Sequence, residues 1–411
     1  MKIIVVTGSY YPNYSAVGVC AKNIVDVLVK KGHDVWVLCN KTTLVDSSMT
    51  LDGAKVRYYT TREIEKRLVW KGWCLTLLRV FYFCKMVLSQ YSLKNETISA
   101  IEKGLNEIVL KELNGKSPDT LVGMVFPFES VIGSLSWIRK TGSPSNVIPV
   151  IFDNFVDNPN IHRLSINRKI KYKRHLRLMK DTIAQCLRVI VMHNQKEFYI
   201  RNNLFDTTKV FFAEHPLLIP PKFISNERIN NSEYLTMLYS GALLKNYVVG
   251  KDLCQMVSEI IKNNPHVHAE FCVMGNDTQC VAELESHYPD NIKNNGRVPI
   301  DVALTKIEQA DILLCVAEKK GKQISSKIFT YMSYGKPIIL IYYSDNDVNN
   351  VILQKYPLYM SVKASEIHKK LPHIILFIQK NRKSTLSFDE VASIYPEALP
   401  ETVSNLLLEA K

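Results

Sequence analysis

Short runs of apolar, β-branched residues alternate along this chain with longer stretches whose apolar positions recur at helical spacing. Ile3–Thr7, Val35–Cys39, Val56–Tyr59, Thr120–Val125, Val147–Phe152 and Val189–Met192 are runs of the first kind. Strands that alternate with helices, rather than with tight turns, predict a parallel sheet covered on its faces. The same rhythm restarts with Leu235–Ser240 and continues through His268–Val273, Ile312–Val316 and Pro337–Ile341. Between the two sets, Pro220-Pro221 through Ser232 is polar and lacks a period, which suits an interdomain linker.

The pattern therefore predicts two α/β domains, residues 1–216 and 235–386, joined by a linker at 217–234 and followed by a helical tail at 387–411. The tail's last helix is expected from about Pro400 to Ala410. Length agrees, because single cores stop growing at roughly 250–300 residues and this chain has 411. No repeat or low-complexity tract interrupts the pattern.

Composition narrows the class. A hydrophobic share of 46% with 22% charged residues excludes a disordered or fibrous chain. The nine cysteines are dispersed, without a CxxC or a Cys/His cluster at zinc-finger spacing, and read as reduced thiols. The leading apolar run Ile3–Val6 is too short for a signal-peptide core, so a cytoplasmic location is expected.

The net charge of +13 calls for an anionic partner: nucleic acid, a phosphate-bearing substrate or acidic lipid. Two stretches concentrate it, Leu68–Leu88 and Arg163–Lys180. Lys71, Arg79 and Lys85 interrupt the first, so it does not read as membrane-spanning. It is either an interfacial helix, with Trp70, Trp73, Phe81, Tyr82 and Phe83 at the headgroups, or a core helix with solvated lysines. The second stretch lacks a nucleic-acid reading module, and lipid or lipid-diphosphate is the more economical partner. A peripheral site at the inner face of the membrane is expected, with no nucleic acid bound.

Candidate chemistry begins at the first loop. Gly8 to Gly18 lacks the GxGxxG spacing that brings a dinucleotide pyrophosphate onto a helix, which argues against a nicotinamide or flavin protein. Asp153 and Asp157 follow the strand ending at Phe152, at the sheet edge where open α/β sheets bind ligands, and are candidate acceptor-binding or base carboxylates, or else loop caps. His162 and His193 also fall near strand ends. Asp345-Asn346-Asp347 resembles a metal-binding DxD motif superficially, but its place after a strand predicts a helix cap.

The leading strand, Tyr10-Tyr11-Pro12, the Ala16-Val17-Gly18 turn and Gly32-His33-Asp34-Val35 together resemble the N-terminal domain of family 4 glycosyltransferases (glycosyltransferase group 1). The second half continues the resemblance in order. Tyr239-Ser240-Gly241 comes first, then Gly250-Lys251-Asp252-Leu253, Val273-Met274-Gly275, Asn295-Gly296-Arg297-Val298, Gln309-Ala310-Asp311, Ser325-Ser326-Lys327-Ile328-Phe329 and Tyr334-Gly335-Lys336-Pro337.

The resemblance implies a GT-B fold: two Rossmann-like domains whose parallel sheets face across a cleft, the first for the acceptor and the second for a nucleotide sugar. It implies that the loop bearing Tyr11 and Gly18 faces the cleft, and that transfer retains anomeric configuration. A nucleotide-sugar site needs cations or N–H donors for the departing diphosphate. Gly241, Lys245, Lys251, Ser325, Ser326 and Lys327 can supply them, Gly275 and Arg297 complete the donor set, and Lys251 joins Asp153 and Asp157 as a catalytic candidate. No metal or other cofactor is expected.

Two positions depart from the family. Thr330 stands where the family places a Glu for the donor ribose, and Lys322 where it places its first Glu. A hydroxyl cannot grip a diol in the bidentate way of a carboxylate. The expected function is thus a hexosyltransferase-like enzyme acting on a glycan or lipid-linked acceptor in cell-surface polysaccharide synthesis. The alternatives are a catalytically silent GT-B-like subunit that binds a partner transferase or a glycan, and a nucleotide-sugar epimerase.

Overall fold

The computed structural model describes residues 1–12, 15–44, 46–156, 158, 161–162, 164–204, 206, 208–221, 234–245 and 247–409. These form two compact units, Met1–Leu217 with Glu397–Lys411, and Leu218–Pro396. The linker expected at 217–234 lies largely outside the described residues.

The first unit runs β1 (Lys2–Thr7), α1 (Ala16–Lys30), β2 (Asp34–Asn40), β3 (Met49–Leu51), β4 (Ala54–Tyr59), α2 (Arg62–Val69), α3 (Gly72–Leu88), α4 (Asn95–Glu112), β5 (Thr120–Val125), α5 (Glu129–Thr141), β6 (Asn146–Ile151), α6 (Ser165–Gln185), β7 (Val189–Met192), α7 (Lys196–Arg201) and β8 (Val210–Ala213). Its strands form one sheet, ordered β3-β4-β2-β1-β5-β6-β7-β8 and parallel except for β3. β5 is buried along its whole length, as a parallel strand covered on both faces must be. Helices are started by local chemistry: Ser15 caps α1 by accepting the Gly18 N–H at 3.2 Å.

The second unit runs β9 (Leu235–Leu243), α8 (Gly250–Asn263), β10 (Val267–Gly275), α9 (Gln279–His287), β11 (Ile292–Asn294), α10 (Ile300–Gln309), β12 (Ile312–Val316), α11 (Ser326–Ser333), β13 (Ile338–Tyr342), α12 (Val348–Leu353), β14 (Tyr359–Lys363), α13 (Ile367–Asn381) and α14 (Phe388–Ile394). Its sheet is parallel, ordered β11-β10-β9-β12-β13-β14. In both units the strand order reverses once, between β1 and β5 and between β9 and β12. Each reversal opens a crevice at the carboxyl ends of the strands.

The tail read as one piece is divided at Pro396. α14 packs on α11 in the second unit, whereas α15 (Pro400–Leu408) packs on α1 and β8 in the first. The Arg188 guanidinium donates to the Leu406 carbonyl at 2.7 Å and holds α15 there.

The stretch Leu68–Leu88 is broken at Trp70-Lys71, whose extended backbone separates α2 from α3. The basic run of α6 is not uniformly solvated either. Lys171 is buried, and its ammonium donates to the carbonyls of Met86 and Val87 at 3.3 and 2.8 Å, to that of Ser89, and to Ser92 Oγ at 3.0 Å. One cation of the supposed lipid-binding run instead closes the C-terminus of α3.

Candidate functional site

In the second unit, β12 pairs with β9 only over Met237–Tyr239, while β9 runs on beside β10 to Leu243. Gly241 therefore lies past the last β9–β12 pair, at the mouth of the crevice. Lys327, in the first turn of α11, stands over it. The Lys327 ammonium donates to Tyr239 Oη at 3.0 Å and lies 4.4 Å from that ring's centroid. Gly241 has φ +149°, and a Cβ there would come within 2.5 Å of Lys327 Nζ. A side chain at 241 would displace the ammonium. Among the described residues Lys327 makes no ion pair, so its charge is left for an anion.

The entry to α11 is set by buried groups. Asn349 accepts the Ser325 N–H at 2.6 Å and donates to the Gln323 carbonyl at 3.0 Å. Asp347 takes the N–H groups of Asn349 and Asn350 at 2.9 and 3.1 Å, the helix cap that its position after a strand predicts. Burial lifts the Asp347 carboxyl above its usual range.

The first unit's reversal holds a cavity of about 800 Å³. Gly8 and Ser9 after β1 and Phe126–Glu129 after β5 form its floor, and α2 and α3 its wall. Its charges are organised: buried Glu63 pairs with Arg67 at 2.5 Å and Lys94 at 2.7 Å. Glu129, also buried, accepts the Lys94 N–H at 2.8 Å, and burial raises its carboxyl. Tyr82, Phe83 and Met86 of α3 line the same space. Such a pocket suits a ligand with hydroxyls for the acids and an apolar portion for the aromatics.

No protein-family model matches the chain, and no curated protein matches it in sequence. Solved structures do match along its whole length. Sucrose-phosphate synthase from Thermosynechococcus elongatus aligns over 100% of this chain and 98% of its own, at TM-score 0.61 and 11% identity. Anabaena HepE in complex with UDP-glucose covers 100% and 98%, at TM-score 0.56 and 12% identity. The UDP-GlcNAc 2-epimerase from Methanocaldococcus jannaschii covers 100% of both, at TM-score 0.56 and 12% identity.

The fold is GT-B. Within this GT-B chain the residues singled out from sequence separate into groups. Gly241, Ser325, Ser326 and Lys327 gather at the β9–β12 crevice, and Thr330 follows Ser326 by one turn of α11. Lys245 is exposed, its N–H on Asn276 Oδ1 at 2.9 Å. Lys251 is exposed in the first turn of α8, where Asp252 follows it and the Asp277 carboxylate already takes the Gly250 N–H at 2.8 Å. That helix start is answered by acid, unlike α11.

Gly275 serves the backbone: at φ +121°, a Cβ would lie 2.0 Å from the Leu243 carbonyl oxygen. Arg297 is exposed beyond β11, at the far edge of the sheet. Lys322 is exposed too; its N–H and that of Lys320 close on the buried Glu318 carboxylate at 2.9 and 3.1 Å. Among the described residues no group of three His, Cys, Asp or Glu could hold a metal ion.

In the first unit, Tyr11 accepts the Tyr58 hydroxyl on its carbonyl at 2.9 Å. Gly18 lets Ser9 approach, since a Cβ there would lie 2.8 Å from Ser9 Oγ. Asp157 lies outside the described residues. Asp153 is exposed beyond β6 and interacts electrostatically with His215. His215, just after β8, is not among the residues singled out from sequence. Its Nδ1 and backbone N–H both bond Glu214 Oε1 at 2.8 Å. Burial works to raise the Glu214 carboxyl, and the bonds from His215 outweigh it and hold it low. His162, by contrast, is buried and stacks on His175 at 4.3 Å, and His193 pairs with Glu397 at 2.7 Å.

Proposed function

We propose that the chain is a glycosyltransferase in which the second unit holds a nucleotide sugar and the first a glycan or lipid-linked acceptor of cell-surface polysaccharide synthesis. The observation that carries this reading is Lys327 over Gly241: an ammonium without a carboxylate partner among the described residues, at the strand-order reversal, beside the start of a helix. A diphosphate placed there meets the ammonium and the N–H groups of the first turn of α11, which offset the charge that grows as the glycosidic bond breaks. Retention of configuration and independence from metal belong to the same reading.

Thr330 offers the donor ribose one hydroxyl contact where a carboxylate would offer two. That substitution, with Lys322, favours a second reading as a GT-B-like subunit without turnover. Calorimetric titration with a panel of nucleotide sugars in excess EDTA separates them. Binding of at least one nucleotide sugar, unaffected by EDTA, is expected for the enzyme. No binding of any member favours the silent subunit, and binding that appears only when a divalent ion is restored removes the metal-free reading.

A further inference from the structure

α3 has two faces of opposite use. Arg79, Tyr82, Phe83 and Met86 line the cavity. Half a turn round the helix, Trp73, Leu77, Val80, Phe81, Cys84 and Leu88 form a stripe that is exposed and that no described residue covers. Trp73 is 74% exposed, Phe81 62% and Leu88 84%, and Leu78 is the one buried residue of the helix. A stripe of this length left bare in water is the mark of an interaction surface.

The adjoining element says what covers it. Lys171 ties α6 to the end of α3 through the carbonyls of Met86, Val87 and Ser89. On the face of α6 away from Lys171, His175 and Met179, the exposed Ile166 and Ile170 stand among Lys169, Lys173, Arg174 and Arg177. These four cations are exposed, and none makes an ion pair with a described carboxylate. Apolar side chains interspersed with free cations match an anionic bilayer, where the former enter the acyl boundary and the latter meet the headgroups. Among the described residues no helix is long and apolar enough to cross a membrane, so attachment by this route is to one surface.

We propose that the outer face of α3 and the basic face of α6 seat the first unit on an anionic membrane surface. The helix that seats it is then a wall of the cavity, which suits an acceptor borne by the lipid. The surface argument is independent of the transferase reading, and vesicle binding is measured without donor or acceptor, so either can fail alone.

The test is sedimentation of the full chain with vesicles of equal phosphatidylglycerol and phosphatidylcholine, against phosphatidylcholine alone. Partitioning at low salt should be at least about tenfold stronger onto the anionic vesicles and should fall steeply by about 0.5 M salt. Trp73→Ser with Phe81→Ser, and separately Lys173→Glu with Arg177→Glu, should each lower it by at least about tenfold with melting temperature retained. Equal partitioning onto both vesicles overturns the proposal. So does loss of the exposed stripe to a dimer, seen as a concentration-dependent mass in analytical ultracentrifugation with lipid ignored.

Discussion

At the scale of residues, the proposed donor site rests on two features that need each other: the missing Cβ at position 241 and the Lys327 ammonium that occupies its place. Lys327→Ala should therefore cut affinity for the nucleotide sugar by at least about tenfold, on the order of 1.4 kcal/mol, and Gly241→Ala should do much the same by pushing the ammonium aside. Lys251→Ala should cost less, because Lys251 is exposed at a helix start already met by a carboxylate. Calorimetry on the three variants checks the ranking, and an equal loss in all three would break it. Gly241 and Ser325-Ser326-Lys327 were singled out by the order of motifs that resembles family 4 glycosyltransferases, since glycine at a strand end is ordinary punctuation on its own. Glu63, Glu129 and His215 were not. Their meaning comes from burial and from partners such as Lys94, 31 residues from one and 35 from another, which no local pattern displays.

Among elements, those the sequence did not reveal share one property. β3 and β8 are the edges of the first sheet, and β11 and β14 those of the second. An edge strand pairs on one side and is covered less, so β3, β11 and β14 can carry polar positions, whereas β8, Val210–Ala213, is apolar throughout and displays the pattern of a buried strand. α6 was legible as basic but not as two-faced, because Lys171 and His175 are polar residues on its buried side. His175 has its imidazole pushed down to about 3, first by burial and then by His162 and Lys171. With the folded pKa below the unfolded 6.5, its contribution is complete above about pH 6.5 and is lost as pH falls towards 3. The slope approaches 1.4 kcal/mol per pH unit. Urea unfolding at pH 7 and pH 5 should show wild-type protein losing more stability on acidification than His175→Phe, which keeps the stacking on His162 and Phe155. Equal losses would mean that His175 is protonated in the folded chain.

For the whole molecule, both α/β units and their parallel sheets could be read from apolar periodicity, because buried parallel strands announce themselves as apolar runs. The division of the tail could not, since α14 and α15 are alike in sequence character and differ in what they pack on. On the proposed function, a nucleotide sugar binds where the second sheet reverses its strand order, against Lys327. Amide hydrogen exchange read by mass spectrometry, with and without saturating nucleotide sugar chosen from the calorimetric panel, tests it most directly. Protection concentrated in residues 239–245 and 325–330, and lost in Lys327→Ala, is the result expected. Protection confined to the loops of the first unit's cavity, or unchanged in Lys327→Ala, would contradict it.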